Sequence, residues 1–308
     1  MILRSLKIKN FRNIKIEKIK LDKYRTIIYG GTIDEGKDIL LSLVIFFECY
    51  NSIYNKVVSN NITINKLLNL NINIPYDVNT FLSINNDEES TIVGNFSIND
   101  DKYKIEMSLT CAGMLYINDV EVKNNEKINY VHMYNLDTYY VNFNNDINNL
   151  RLTYIELENV YKNKIRVYML EIFDIMNIED ENKNIYIYYK NKNKREIMML
   201  SVDFQKIFAS LTLLYYLLSK KSGEKYYLLE RPETFLCEYR IRKYMVFLRS
   251  ICDNNEINLI ITSNNKYVMR NMLNLDKNDD KEHILVLEGS NEVNLNGFFT
   301  KLKKYIPY

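Results

Sequence analysis

The sequence predicts an α/β fold in which helices flank a mostly parallel central sheet and an antiparallel β lobe precedes it. Two observations carry this prediction. Over residues 184–308, short apolar runs alternate with helical patterns, which is typical of parallel strands buried on both faces. Residues 1–21 and 91–122 instead alternate apolar with polar side chains, which indicates antiparallel strands with one exposed face. Helical spacing over residues 145–176 separates the two patterns and predicts a helical insertion.

Length and composition restrict the class of protein. The chain has 308 residues, 47% of them hydrophobic and 26% charged, with a net charge of +2. This length suffices for one large α/β domain or for two smaller ones. Because the net charge is close to zero, only a local basic patch could bind DNA. The four cysteines lack paired metal-ligand spacing, and the two histidines argue against a histidine-rich metal site.

The sequence also bears on where the protein acts. No apolar run reaches the roughly 18 residues that a membrane span needs. No signal peptide is visible, so the cysteines are expected to be reduced. We therefore expect a cytoplasmic protein without a membrane partner.

The N-terminal part is predicted to consist mainly of strands. Residues 1–21 form a hairpin joined at Asn10–Asn13, which leads into a strand at Thr26–Tyr29. Three alternating runs between Thr91 and Val122 predict an antiparallel meander, because Asn-Asp-Asp and Ala-Gly turns separate them. A further tyrosine-rich strand is predicted over Val131–Phe143.

The C-terminal half alternates short buried strands with helices. Strands are predicted at Lys225–Glu230, Ile257–Ser263 and His283–Glu288. The predicted helices are Gln205–Lys220, Glu238–Asp253, Lys266–Leu273 and Phe298–Tyr305.

The segment between the two halves leaves two questions open. The helical insertion over residues 145–176 either packs on the body or projects as an arm that binds a partner. It is followed by a hairpin over Asn184–Leu200, whose turn is strongly basic. The basic residues of this turn are Lys190, Lys192, Lys194 and Arg195. A solvated turn is the plain interpretation, and a contact with the phosphate backbone of DNA is the alternative.

A glycine-bounded segment carries the main chemical signal. It follows the Thr26–Tyr29 strand and leads into an apolar helix predicted over Asp38–Val57. A strand, a loop ending in Gly-Lys and a helix form the layout of a P-loop, whose backbone N–H groups and lysine bind phosphates. Gly31 and Gly36 have the spacing of the two P-loop glycines, and Lys37 stands where a lysine would reach the β- and γ-phosphates.

Three carboxylates weaken this segment as a phosphate site. Asp38 stands where a P-loop has the Ser or Thr whose hydroxyl binds Mg²⁺, and Asp34 and Glu35 lie inside the loop. Like charges about 4 Å apart repel by about 1 kcal/mol in water and several-fold more near a protein surface. We therefore expect the frame of a P-loop with a poor affinity for a triphosphate.

Together the motifs resemble those of ABC-type ATPase heads of the RecF/SMC/OLD-like group. The opening LKIKNFRNIKI resembles the first hairpin of that group, and the P-loop follows it. Leu200–Lys206 (LSVDFQK) lies where the group has its signature, Leu-Ser-x-Gly-x-Gln-Lys. Leu228–Leu236 (LLERPETFL) matches Leu-Ile-Asp-Glu-Pro-Glu-x-x-Leu, the Walker B stretch. Ile260–Asn265 (IITSNN) lies where the group has Ile-Thr-Thr-His-Ser.

This resemblance implies a P-loop NTPase fold and a domain plan. One ABC-ATPase-like domain would cover residues 1–308. It would comprise a P-loop and antiparallel β lobe at 1–143, a helical insertion at 144–183, and a signature and Walker-B-like half at 184–308.

The resemblance also implies roles that several residues here are unsuited to fill. In the group, an Asp holds Mg²⁺ through water and the next Glu orients the attacking water. Glu230 keeps the first carboxylate, but Arg231 replaces the second and cannot accept a proton, since its pKa exceeds about 12. Asn264 replaces the His that senses the γ-phosphate. Asp203 replaces the signature glycine, and its carboxylate would face the phosphate bound by the opposite subunit.

Other positions keep the residue types of the group. The residues kept in the P-loop and the signature are Gly31, Gly36, Lys37, Ser201 and Gln205. Glu233 follows Pro232 and is either a substitute base or, more plainly, a carboxylate that caps the next helix.

Three functional hypotheses follow. The first is a pseudo-ATPase that serves as a scaffold or regulatory subunit in DNA maintenance, in a mobile element or in anti-phage defence, as a homodimer or with another protein. The second is a divergent ATPase in which Asp38 and Glu230 coordinate Mg²⁺ and Arg231 stabilises the charge of the transition state. The third is DNA binding through the basic turn and an N-terminal basic set. This set consists of Arg4, Lys7, Lys9 and Arg12. ATP and Mg²⁺ are the cofactors implied by the first two.

Overall fold

The structure is a computed structural model of the chain. It describes residues 2–12, 14–21, 25–30, 33–54, 61–63, 90–98, 101–109, 114–117, 128–133, 151–182, 184–191, 193–272, 282–288 and 291–292. Within these ranges, the strands form two six-stranded sheets and one three-stranded sheet. None of the helices described there is both long and apolar enough to cross a membrane.

An antiparallel sheet forms the N-terminal lobe. Its strands, in spatial order, are β2 (Ile14–Lys20), β1 (Ile2–Phe11), β5 (Ser90–Ile98), β6 (Asp101–Leu109), β7 (Met114–Ile117) and β4 (Asn61–Thr63). The β1–β2 hairpin and the β5–β6–β7 meander confirm the predicted elements. Leu6 and Ile8 are buried while Lys7 and Lys9 are exposed, which is the alternation that the sequence shows.

The second six-stranded sheet is the central sheet. Its strands, in spatial order, are β15 (Asn291–Glu292), β14 (Glu282–Glu288), β3 (Arg25–Gly30), β13 (Ile257–Thr262), β12 (Lys225–Glu230) and β8 (Asn129–Met133). Neighbouring strands are parallel except for β14 and β15. Alternate residues enter two separate cores, since Leu228 and Ile260 lie in one and Leu229 and Ile261 in the other. The mostly parallel sheet covered on both faces is therefore confirmed.

The helix α1 (Ile33–Tyr54) fills the core between the central sheet and the N-terminal lobe. It begins at Ile33, so the predicted start at Asp38 was too late. Asp34 and Glu35 explain the difference, because acidic residues in a first turn interact favourably with the helix dipole. The acids interpreted as loop residues thus belong to the helix.

Helices and a small sheet cover the other face of the central sheet. They are α2 (Asn159–Ile172), β9 (Ile175–Glu181), β10 (Asn184–Tyr189), β11 (Lys194–Glu196), α3 (Val202–Leu218), α4 (Glu238–Asn254) and α5 (Lys266–Met272). A helical stretch over residues 151–156 precedes α2. α2 buries Ile165, Tyr168, Met169 and Ile172 in the same core as α3 and α4, so it packs on the body.

One predicted helix end is wrong. Helical spacing predicts a helix as far as Met176, but the chain enters β9 at Ile175. Ile175 and Ile178 are both buried, and this three-residue spacing imitates a helix although the segment is a strand. The strand residues predicted beyond 133 and the helix Phe298–Tyr305 lie outside the described residues. The domain boundaries at 143 and 183 remain predictions.

Candidate nucleotide site

The predicted chemical segments meet at the carboxyl edge of the central sheet. Glu230 ends β12 and Thr262 ends β13. The Arg231 N–H donates to the Thr262 carbonyl (2.9 Å), and the Ser263 N–H donates to the Ile28 carbonyl of β3 (3.0 Å). The loops after both strands are thereby attached to neighbouring strands. This is the edge at which open α/β sheets bind their ligands.

The segment predicted as a P-loop is mostly helical. β3 ends at Gly30 and α1 begins at Ile33, so only residues 31 and 32 separate them. Gly36 and Lys37, which the sequence placed at the end of a loop, are therefore the fourth and fifth residues of α1. Gly31 and the Asp34 side chain lie outside what the structure describes, and Lys37 is half-buried.

Gly36 has a packing role in this arrangement. A Cβ atom built on Gly36 would lie 3.2 Å from the Cβ of Thr262 and 3.4 Å from its Cγ2. Glycine therefore lets the start of α1 approach the end of β13 closely. The glycine of the motif is thus explained by contact between the helix and the sheet.

Asp38 forms an ion pair with Arg12. The Nε atom of Arg12 lies 2.6 Å from Oδ1 of Asp38, whose side chain is fully buried. Arg12 comes from the turn between β1 and β2, where its φ of 52° is in the left-handed region. The hairpin of the N-terminal lobe thus places a guanidinium beside the carboxylate at the predicted Mg²⁺ position.

The residues present do not fit Mg²⁺ bound as in a P-loop. A divalent cation on Asp38 would lie close to the positive charge of Arg12, and such repulsion amounts to several kcal/mol near a protein surface. Within the described ranges, no group of three or more His, Cys, Asp or Glu side chains is placed to hold a metal ion. Glu230 is buried at the end of β12 and keeps its predicted place at the sheet edge.

Asp203 points into its own subunit. Its carboxylate forms an ion pair with Arg240 of α4 and accepts a hydrogen bond from the Phe204 N–H (2.8 Å). Its position in the first turn of α3 is favourable for an acid. In this chain a guanidinium of α4 holds the carboxylate that was expected to face a phosphate of the opposite subunit.

The rest of the signature-like segment is held by local hydrogen bonds. The Gln205 amide donates to the carbonyls of Leu200 (2.8 Å) and Met198 (3.2 Å). Ser201 is exposed at the N-cap position of α3 and makes no side-chain capping bond. Gln205 thus shapes the turn that presents Ser201 at the surface.

Sequence reasoning missed the role of Lys206. This lysine is buried in α3, and its Nζ donates to the carbonyls of Arg231 (2.9 Å) and Thr234 (3.1 Å). It thereby links the signature-like helix to the loop after β12, in which Arg231 has a φ of 44°. The available signal was a lysine within an apolar helix, because a buried ammonium group must find acceptors.

Glu233 lies in that loop and faces the end of β13. Burial raises the pKa of its carboxyl group, while hydrogen bonds from its own N–H and from Ser263 and the charges of Lys206 and Arg231 lower it. The interpretation of Glu233 as a helix cap is wrong, because α4 begins only at Glu238. Glu233 is instead a buried carboxyl group near the candidate site, and burial favours its protonated form.

The raised pKa of Glu233 predicts a pH-dependent stability difference. The folded state holds this proton more tightly than the unfolded chain, so the stability contribution falls as pH rises through the folded pKa. Glu233→Gln, which imitates the protonated form, should gain stability relative to the wild type between pH 5 and pH 8. Urea unfolding at both values checks this, and a difference independent of pH would contradict it.

Asn264 is exposed directly after β13, close to where its predicted role would place it. Its neighbours have structural roles. The Ser263 hydroxyl accepts a bond from the Asn265 N–H (3.0 Å), and the Asn265 side chain accepts one from the Tyr267 N–H (2.8 Å) at the start of α5. These bonds fix the turn that carries Asn264.

Two of the four basic residues of the turn, Lys190 and Lys194, are paired with acids. Lys190 forms an ion pair with Asp174, and Lys194 forms one with Glu181 and lies 4.0 Å from the centre of the Tyr186 ring. Lys192 lies outside the described residues, and Arg195 is exposed. Exposed ion pairs of this kind are common on protein surfaces and contribute little stability, so they agree with a turn that lies in solvent. DNA binding through this turn, or through the N-terminal basic set of Arg4, Lys7, Lys9 and Arg12, stays a prediction.

The sequence matches no protein-family model and no curated protein. Solved structures are nevertheless similar over nearly the whole chain. The SMC head domain from Thermotoga maritima is 14% identical with a TM-score of 0.51, and the match covers 92% of this chain and 94% of that one. An SMC head bound to the C-winged helix domain of ScpA is 14% identical with a TM-score of 0.52, covering 88% and 92%.

A third similar structure is an Smc head with an extended coiled coil, bound to the C-terminal domain of ScpA and derived from Pyrococcus furiosus. It is 10% identical with a TM-score of 0.51, and the match covers 98% of this chain and 99% of that one. At such identities the likeness concerns the fold. This chain has the fold of an ABC-type ATPase head.

Proposed function

We propose that this ABC-type head is a pseudo-ATPase that acts as a scaffold or regulatory subunit. The ion pair between Arg12 and Asp38 carries the proposal. Where the P-loop of an active head presents a hydroxyl to Mg²⁺, this chain has a buried carboxylate already paired with a cation of the same chain. The charge that a metal ion would supply there is supplied by a guanidinium.

Three further features support loss of hydrolysis. Arg231 occupies the position of the catalytic Glu and cannot act as a base. The Asp203 carboxylate is paired with Arg240, and Gly36 and Lys37 lie within α1 and not in a loop. Phosphoryl transfer depends on positioning and electrostatics, so losing one part commonly lowers the rate by several powers of ten.

The divergent ATPase is the second candidate, and Glu233 favours it. This buried carboxyl group has a raised pKa and a hydrogen bond with Ser263 at the sheet edge, as a general base could have. That mechanism would use Asp38 and Glu230 as Mg²⁺ ligands, and the pairing of Asp38 with Arg12 argues against it.

Steady-state ATP hydrolysis distinguishes the two candidates. We expect phosphate release by the purified protein with ATP and Mg²⁺ to equal that of a Lys37→Ala variant, because both lack a working site. Turnover that requires Mg²⁺ and disappears in Lys37→Ala would reject the pseudo-ATPase.

A head that does not hydrolyse ATP can still act by binding other proteins. Two of the similar SMC heads are bound to domains of ScpA in their structures. By analogy, we propose that this protein works in the cytoplasm as a homodimer or in a complex with another protein. DNA maintenance, a mobile element or anti-phage defence would be its setting, with DNA as a further ligand.

A further inference from the structure

The helices α2 and α4 lie side by side and antiparallel on the surface of the core opposite α1. The rings of Tyr168 and Phe247 are in contact, with centres 3.8 Å apart. One turn later on α2 and one turn earlier on α4, Glu171 and Lys243 approach to 3.8 Å. The two helices are therefore in contact at these two points, and we call their outer sides together the α2–α4 face.

Apolar side chains project from this face. On α2, Val160 and Val167 are 60% and 61% exposed, and on α4, Tyr239 and Val246 are 57% and 41% exposed. Both pairs are spaced by two helical turns, so each pair lies along one side of its helix. The exposed apolar residues thus form two parallel rows separated by the contact between the helices.

The two helices of this face carry a net positive charge. α2 and α4 together carry seven basic and three acidic side chains. Three of the basic residues form ion pairs with acids: Lys162, Arg240 and Lys243. Lys164, Arg242 and Arg249 have no acid within ion-pair distance among the residues that the structure describes. Lys164 and Arg242 lie within the apolar rows, one turn from Val160 and from Tyr239.

We propose that the α2–α4 face binds an acidic amphipathic helix of a partner protein. A third helix that packs along α2 and α4 would carry apolar residues two helical turns apart. This matches the spacing of Val160 and Val167. Its carboxylates would then meet the ammonium group of Lys164 and the guanidinium of Arg242. Aromatic and arginine side chains, here Tyr239 and Arg242, are enriched at such interfaces. The proposal goes beyond the pseudo-ATPase, because it assigns a partner-binding surface to two helices and not a role in nucleotide chemistry.

The positive charge and the exposed apolar area together favour an acidic amphipathic helix over other partners. A second copy would bring the same positive face against it, and like charges across an interface weaken binding. Nucleic acid would match the charge, but phosphates would leave the exposed valines uncovered. An acidic helix with an apolar stripe satisfies both features.

Selection from a displayed library of random 20-residue peptides tests the proposal with the full chain as target. Enriched peptides should carry net negative charge and apolar residues at helical spacing. Their affinity, measured by fluorescence anisotropy, should fall at least tenfold for a Val167→Asp, Val246→Asp double variant and for Arg242→Glu. Met176→Asp is the matched control, because Met176 is 56% exposed and belongs to β9 and not to either helix of the face.

Several results would overturn the proposal. They are the absence of enriched peptides, the enrichment of neutral or basic peptides, and undiminished binding to both variants. A dimer in sedimentation experiments that Val167→Asp dissociates would assign the face to a second copy. Duplex DNA binding lost in Arg242→Glu would assign it to nucleic acid. Arg242→Glu keeps the test valid if the double variant fails to fold, and ATP hydrolysis tests the proposed function separately.

Discussion

Replacing Gly94 by alanine should destabilise the protein by about 3 kcal/mol, the upper part of the usual range for overpacking a core. A Cβ atom at this position would overlap Cζ of the Phe46 ring and lie 2.5 Å from Cε2. Gly94 sits in β5, opposite Leu6 and Ile105, and Phe46 belongs to α1. The helix and the lobe sheet would have to separate, which opens the core that they share. Urea unfolding of wild type and variant measures the loss.

A double variant shows whether the contact with Phe46 is the cause. Phe46→Leu alone removes apolar contacts and should destabilise the protein. In the Gly94→Ala background it also makes room, so the double variant should be more stable than the sum of the single effects predicts. A Gly94→Ala protein as stable as the wild type would show that α1 does not pack on β5 as described.

Breaking the ion pair of Arg12 with Asp38 should have the largest effect on stability. Asp38→Ala leaves a mostly buried guanidinium without its carboxylate, and removing one partner of a buried pair typically costs about 3–5 kcal/mol. Arg12→Ala should also lower the free energy of unfolding, because it leaves the buried Asp38 carboxylate without its guanidinium. Because the two residues act as a unit, the double variant should cost clearly less than the sum of the single variants. A double-mutant cycle from urea unfolding measures this coupling.

An exposed pair provides the matched control. Lys104 and Glu106 lie 2.6 Å apart on β6, with side chains that are 59% and 33% exposed, and a coupling close to zero is expected there. If Arg12 and Asp38 also behaved additively, the pair would not hold the N-terminal hairpin to α1. The explanation of Asp38 as a residue that replaces a metal ligand would then fail.

Most of the fold could be predicted because its signals are local. The apolar runs at residues 226–229 in β12 and 259–261 in β13 are short and bounded by polar residues. Because each run is too short for a helix and lies between helical patterns, it indicates a buried parallel strand. Alternation of apolar and polar side chains marks β1 and β5 in the same direct way.

The errors arose where two patterns coincide. Ile175 and Ile178 have the spacing of a helix yet lie in β9, so periodicity alone could not end the preceding helix correctly. At the start of α1, glycines and acids matched the P-loop motif, while the favourable position of acids in a first turn extended the helix to Ile33.

The position of the motif segments in the fold was predictable, but the pairing of their side chains was not. The order and spacing of the motifs predicted that Glu230, Asn264 and Lys37 lie at one edge of the sheet. The partners of Asp38 and Asp203 could not be read from the sequence, because Arg12 and Arg240 approach them only through the folded arrangement. These partners decide whether an acid is a metal ligand or half of an internal ion pair.

Isothermal titration of the purified chain with ATP, with and without Mg²⁺, tests the central claim most directly. The claim is that an internal ion pair occupies the position at which an active head binds Mg²⁺. It predicts no Mg²⁺-dependent heat up to millimolar ATP, for the wild type and for Lys37→Ala alike. Micromolar binding that needs Mg²⁺ and is abolished by Lys37→Ala would contradict it.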